Sequence, residues 1–157
     1  MIKLWTDGSA SPNPGRGGFA VLLEENGEVR PVVLGRDQKE TTNIRMEGEA
    51  LYEAMKYAGG EECAIYTDSQ FWVNVITRWA PAWEKWGWRK ADGKAPENGD
   101  IVKKDLEEFR RGKVNFVFVR GHMGTEFNEM ADYWANKARE GECPEGVDFV
   151  EISAAEE

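Results

Sequence analysis

Three strand-like runs in succession, followed by helices and strands in alternation, predict an α/β layered fold with an antiparallel portion. Two local signals support it: an Asn26-Gly27 pair of the kind that closes a tight hairpin, and a helical apolar period that begins at Met46. Ile2 to Asp7 reads as the first strand, Gly18 to Glu25 as the second and Val29 to Gly35 as the third. Met46 to Ala58 reads as a helix and Ala64 to Thr67 as a strand, after which Ser69 caps a helix running toward Trp79. Asp100 to Arg111 is helical, Val114 to Val119 is extended, and Glu126 to Arg139 is a last helix with Gly141 just past its end. The acidic segment beyond Gly141 has little periodicity. Residues 1–140 are therefore expected to form one domain, and 141–157 a loosely held acidic tail.

A chain of 157 residues supports one ordinary core. No run approaches the roughly 20 apolar residues of a membrane helix, and Met1 to Trp5 reads as a strand rather than a signal peptide. A soluble, cytoplasmic monomer with no membrane partner is expected. Cys63 and Cys143 have neither metal-ligand spacing nor disulfide density, which predicts reduced thiols and no zinc. The net charge of −9 runs against the basic footprint usual in proteins that bind nucleic acid. The local balance differs: between Ile76 and Lys94, Arg78, Lys85, Arg89, Lys90 and Lys94 outnumber Glu84 and Asp92, with Trp79, Trp83, Trp86 and Trp88 interleaved. Those tryptophans can be core with a charged rim, or a surface that grips phosphate; both are expected in part.

Four acids far apart in sequence carry the chemistry. Asp7 and Asp68 each end an extended run, in Thr6-Asp7-Gly8-Ser9 and Tyr66-Thr67-Asp68-Ser69, where open α/β sheets place ligands. Glu47 falls in the middle of the helix face formed by Met46, Ala50, Leu51, Ala54, Met55 and Ala58, while Glu49, Glu53 and Lys56 fall opposite. A carboxylate in an apolar stripe is costly unless paired or bound to metal. A salt bridge at the helix start is the plain alternative. Helical projection does not single out Asp132, which lies with Asn128, Glu129, Asn136 and Arg139 on a polar face, so a solvated aspartate is its default reading. Carboxylates gathered at one point repel one another unless hard cations sit among them, and an all-oxygen site suits Mg²⁺. A paired-metal phosphodiester hydrolase follows as the first hypothesis.

The order Asp7-Gly8-Ser9, Asn13-Pro14-Gly15, Gly17-Gly18, Thr42-Asn43, Arg45-Met46-Glu47, Thr67-Asp68-Ser69-Gln70, Gly121-His122 and Asp132 resembles ribonuclease H of the bacterial type 1 class, from Met1 to about Asn136. The resemblance implies a ribonuclease H-like fold, a five-stranded mixed sheet flanked by helices, and endonucleolytic hydrolysis of the RNA strand of an RNA–DNA hybrid. It implies two Mg²⁺ ions, with Mn²⁺ able to substitute, on Asp7, Glu47, Asp68 and Asp132, and products with 5′-phosphate and 3′-hydroxyl ends. His122, otherwise readable as a surface histidine, takes a role in water activation, proton transfer or product departure. Asn13, Thr42, Asn43 and Gln70 become substrate contacts, although Ile44 stands where the family usually has a polar residue. The stretch from Trp79 to Lys94, with Lys85, Arg89 and Lys90, resembles the family's basic protrusion that grips the DNA strand, while Glu84 and Trp86 replace residues that are often basic there. The Gly8–Gly18 segment reads as a loop able to approach a nucleic-acid backbone, or as a plain hairpin connection. Two other readings stay open: a noncatalytic hybrid-binding module, and a DNA-junction nuclease of the same broad fold.

Overall fold

The computed structural model describes residues 1–120 and 125–153. Strands β1 (Ile2–Ser11), β2 (Gly15–Glu25) and β3 (Glu28–Thr41) form an antiparallel meander. Asn26 and Gly27 turn the chain between β2 and β3 with φ of 54° and 79°, the double positive φ that a primed two-residue hairpin requires. Helix α1 (Asn43–Ala58), β4 (Glu62–Thr67), α2 (Gln70–Asn74), a π-helical turn (Val75–Trp79) and α3 (Ala80–Lys85) come next. They are followed by α4 (Gly99–Arg111), β5 (Lys113–Phe118), α5 (Thr125–Arg139) and β6 (Asp148–Ser153). The strand order is β5-β4-β1-β2-β3-β6, with β4 parallel to β1 and β5, and β6 parallel to β3.

The sheet is mixed and helix-flanked as expected, but it has six strands rather than five. The sixth comes from the segment expected to be a loose tail. Phe149 packs on one face of the sheet and Val150 and Ile152 on the other. The Arg36 guanidinium donates to Glu151 at 2.7 Å and the Gln38 amide joins it at 3.1 Å. The acidic composition that suggests a tail is thus used in cross-strand pairing, and β6 covers an edge of β3 otherwise open to other chains.

Period-two alternation splits the core into two layers. Leu4, Phe19, Val21 and Val33 face α1 and α4, whereas Trp5, Ala20, Leu22 and Leu34 face Ala131, Ala135 and Ala138 of α5. Helix α1 begins three residues earlier than its apolar period, because the Thr42 hydroxyl accepts from the Arg45 N–H and caps the first turn. It ends at Gly59 with φ of 62°, the left-handed position glycine supplies most readily. Among the described residues no helix is long and apolar enough to cross a membrane. Cys63 and Cys143 are free thiols.

The far side of α1 is not the solvent face that the projection suggests. Glu49 is only 6% exposed, and Lys104 of α4 donates to it at 2.8 Å, because α1 is sandwiched between the sheet and α4. In the same seam Asp105 is completely buried, and neither of its carboxyl oxygens has a hydrogen-bond partner among the described residues. Burial first, then the Glu49 charge, pushes Asp105 well above the usual carboxylate range, against the opposing pull of Lys104. Asp105 is thus held protonated in the folded protein at pH values where the unfolded chain has released that proton. Its contribution is fully favourable below the unfolded pKa of about 4 and declines by up to about 1.4 kcal/mol per pH unit above it. Asp105→Asn removes this slope, so thermal melts at pH 4 to 8 should show the stability gap moving steadily in the variant's favour as pH rises. Parallel melting curves across that range would contradict a protonated Asp105.

Candidate active site

Asp7 lies inside β1, not at its end, because β1 runs on to Ser11 in its hairpin with β2. What ends near Asp7 is the parallel partner. Ile2 pairs with Cys63 and Trp5 with Tyr66, and the same register carried two residues further sets Asp7 beside Asp68, just past β4. The Thr6 hydroxyl donates to the Tyr66 carbonyl at 3.2 Å and ties the strands together at that level. Parallel pairing therefore brings the two aspartates together.

Gly8 brings in the third acid. A Cβ there would lie 2.3 Å from the Met46 carbonyl carbon and 2.6 Å from the Glu47 nitrogen, so only glycine lets the start of α1 rest directly on β1. Glu47 is half-buried on the face where helical projection puts it. Gly18 does the same for α5: a Cβ there would meet the Ala135 carbonyl oxygen at 2.2 Å. Helix α5 thereby crosses the sheet closely enough for exposed Asp132 to act on Asp7 and Asp68. Of the four glycines from Gly8 to Gly18, Gly8, Gly17 and Gly18 lie in paired strands and make room for Met46 or α5, which fits the plain hairpin connection of the two readings.

Electrostatics records the convergence. Asp7 is 9% exposed, and burial, then the charges of Asp68 and Asp132, push its carboxyl well above the usual range. Burial and the Asp68 charge push Glu47 up to about 7, partly offset by a hydrogen bond with the Ser69 side chain. Asp68 stands exposed at the rim, and is raised by the protein crowding around it and by Asp132. Asp68 thus interacts with all three other acids. The charges that raise these groups are all carboxylates, and the donors are all oxygen, a set that fits hard divalent cations. Among the described residues no three of these groups are drawn together into a coordination shell; they stand as neighbours.

Ser69 is a site residue that the sequence presents only as a helix cap. Its oxygen accepts from the Trp72 N–H at 3.2 Å, which leaves its proton for Glu47. Trp72 is fully buried, donates its indole N–H to the Ile44 carbonyl at 2.7 Å, and fits against α1 because Gly48 has no side chain. Arg45 forks onto Asp100 at 2.9 and 3.2 Å and reaches Asn98 at 3.1 Å, fixing the start of α1 to the start of α4.

The expected substrate contacts fall into two groups. Asn13, Thr42 and Asn43 are brought together: the Asn13 side-chain oxygen accepts from the Asn43 N–H at 3.1 Å, and that of Asn43 accepts from the Ala10 N–H at 2.7 Å. The amide nitrogens of Asn13 and Asn43 have no partner among the described residues. Gln70 is exposed and donates to Asn74 at 3.2 Å. The tryptophan-rich stretch divides into a buried part and an exposed part. Trp83 and Trp88 pack on the core, while Trp79 (42% exposed) and Trp86 face outward beside exposed Lys85 and Arg89 and half-buried Lys90. Phe71, 45% exposed and edge-on to both Trp72 and Trp79, extends this surface, and no periodic signal marks it. His122 lies outside the described residues.

A six-stranded α/β sheet with four interacting acids around the β1–β4 junction defines an α/β protein whose candidate site is an all-carboxylate cluster, a donor set that suits hard cations. The family profile of RNase H matches residues 1–140. The chain is 40% identical over 141 residues to Ribonuclease H of Gluconobacter oxydans, covering 88% of this chain and 92% of that one. It is 37% identical over 153 residues to Ribonuclease HI of Haemophilus influenzae, covering 96% and 97% of the two chains. The crystal structure of LC9-RNase H1, a type 1 RNase H with the type 2 active-site motif, superposes with a TM-score of 0.72 at 26% identity, covering 93% of this chain and 75% of that one. The chain belongs to the RNase H family.

The close approach at Gly8 yields a direct test. Gly8→Ala must push α1 away from β1 by tenths of an ångström to ångströms, so it should lower the melting temperature and reduce turnover by at least tenfold, as small misplacements of a reacting group do. Wild-type turnover in this variant would show that the approach of Glu47 does not depend on Gly8.

Proposed function

We propose that this member of the RNase H family is a metal-dependent endoribonuclease that cuts the RNA strand of RNA–DNA hybrids. One observation carries the reading: the β1–β4 register sets Asp7 beside Asp68, with Asp132 acting on both and Glu47 interacting with Asp68. A module that only binds hybrid gains nothing from mutually repelling acids. Asp7, Glu47, Asp68 and Asp132 are proposed to hold two divalent cations, Mg²⁺ or Mn²⁺, which would supply Lewis-acid polarisation of the phosphate and a water of lowered pKa. The carboxylates would fix that positive charge beside the phosphate oxygens on which negative charge develops. Ser69 orients Glu47 by hydrogen bonding.

Water attacks phosphorus in line, the bond to the 3′ oxygen breaks, and that oxygen takes up a proton. The products are a 5′-phosphate and a 3′-hydroxyl. His122 is proposed to move a proton in this sequence or to assist product departure. The free amide donors of Asn13 and Asn43, together with Thr42 and Gln70, are proposed to contact the hybrid, whose wide minor groove displays the 2′-hydroxyls that separate RNA from DNA. Trp79, Lys85, Arg89 and Lys90 are proposed to hold the DNA strand. The enzyme is proposed to act as a cytoplasmic monomer.

Cleavage of hybrid, but not of double-stranded RNA, duplex DNA or a four-way junction, is the expected outcome on a single gel; cleavage of the junction alone would reverse the assignment. Asp7→Asn, Glu47→Gln and Asp68→Asn should each nearly abolish cleavage while hybrid binding, read by fluorescence anisotropy, survives. Glu49→Gln should keep most of its activity and lose thermal stability, because it leaves Lys104 unpaired in the α1–α4 seam. Loss of turnover in Glu49→Gln with Glu47→Gln active would exchange the two roles.

Replacing Lys85, Arg89 and Lys90 together with alanine should raise KM for hybrid much more than it lowers kcat. It should also flatten log affinity against log salt by about one unit for each phosphate no longer neutralised. An unaltered salt slope would place the grip elsewhere on the protein.

A further inference from the structure

Glu84 is the odd residue of the basic stretch, an acid beside Lys85 on a surface proposed to meet phosphate. Its carboxylate does not stand alone. Arg110 of α4 donates from Nη1 to its Oε2 at 3.0 Å and brings Nη2 within 2.9 Å of its Oε1, a two-point ion pair that constrains orientation as well as distance. One turn of chain later, Lys103 of α4 stands over the Trp88 ring at 5.2 Å. Two polar contacts from one helix therefore hold successive parts of the protruding segment.

This segment needs holding. Gly87 and Trp88 have φ of 69° and 61°, and a bulky side chain in the left-handed region persists only when its surroundings over-determine it. The Trp88 N–H is tied to the Trp83 carbonyl at 2.7 Å, and the tip closes on itself through Lys90, Asp92, Gly93 and Lys94. Between the segment and α4 runs an open cleft of about 470 Å³, lined in part by Glu84, Trp88, Lys103, Leu106 and Arg110. Close apolar packing does not fill that side. The Glu84–Arg110 fork spans it.

We propose that Glu84 and Arg110 form a latch that positions the protrusion for hybrid binding, so that the negative charge of Glu84 favours affinity instead of opposing it. The proposal rests on the reading of this protrusion as a substrate grip. Two accounts of Glu84 then predict opposite signs. If Glu84 is only an acid near phosphate, Glu84→Gln removes a repulsion and lowers KM. If it is half of a latch, Glu84→Gln frees the segment and raises KM by about two- to fivefold, the range an exposed ion pair delivers, with kcat held.

The experiment compares KM and kcat on hybrid for Glu84→Gln, Arg110→Gln and the double exchange Glu84→Arg with Arg110→Glu, alongside amide hydrogen exchange over residues 80–94. Raised KM and faster exchange in both single variants, with recovery of both in the double exchange, supports the latch. Lowered or unchanged KM in Glu84→Gln overturns it, as does a double exchange no better than the singles. The Lys85, Arg89 and Lys90 triple alanine variant is run in parallel. If it leaves KM unaltered, the grip itself is misassigned and the proposal falls with it, while the exchange data still report whether the fork restrains the segment.

Discussion

Carboxylates repel, and this fold holds four of them within reach of one another by contacts made away from the acids themselves. Parallel hydrogen bonding of β1 to β4 sets Asp7 beside Asp68. The absence of a side chain at Gly8 admits α1 and Glu47, and at Gly18 it admits α5 and Asp132. Behind this front, Trp72 anchors α1 through the Ile44 carbonyl, and Arg45 fixes the same turn to α4. Each contact is satisfied without the acids, so the scaffold keeps its geometry while Asp7, Glu47 and Asp68 are raised by crowding. Preorganisation of this kind places the cost of assembling charge in the folding of the chain rather than in the moment of reaction.

Legibility in the sequence depends on whether the controlling interaction is local. The Asn26-Gly27 turn, the Ser69 cap and the period of α1 act within a few residues, and the meander and the helices follow from them directly, although the equally local Thr42 cap goes unread and α1 is started three residues late. The face that Glu47 takes is legible for the same reason, since a helix has one phase. Glu49 is misread because projection shows which side a residue takes and not what will pack there, and α4 arrives more than fifty residues later with Lys104. Strand β6 escapes the sequence because its acids look like solvent-seeking residues until Arg36 and Gln38 of a distant strand are beside them. Asp132 sits on a polar face in both sequence and structure; only the close crossing of α5 over Gly18 turns that face toward Asp7. Asp105 lies at helical spacing from Ile101, Val102 and Leu106, so the phase of α4 puts it on the buried face, a local signal that goes unread in the sequence.

The charge of the chain takes a similar lesson. A net −9 suggests a surface hostile to a polyanion, but a substrate within a Debye length of about 8 to 10 Å responds to the nearby charges rather than the sum. Much of the acid is already engaged: Glu151 with Arg36, Glu84 with Arg110, Glu107 and Glu108 with Arg111, Glu24 with Lys3 and the Trp5 indole. Arg78 and Lys85 have no such partner among the described residues, and the acids of the site have no cation paired with them there, so divalent ions would offset them. The described surface is therefore bipolar, cationic over the protrusion and anionic around Asp7 and Asp68. In the proposed reading, that arrangement separates the place that grips from the place that cuts, and binding then turns on the orientation of the protrusion more than on the total charge.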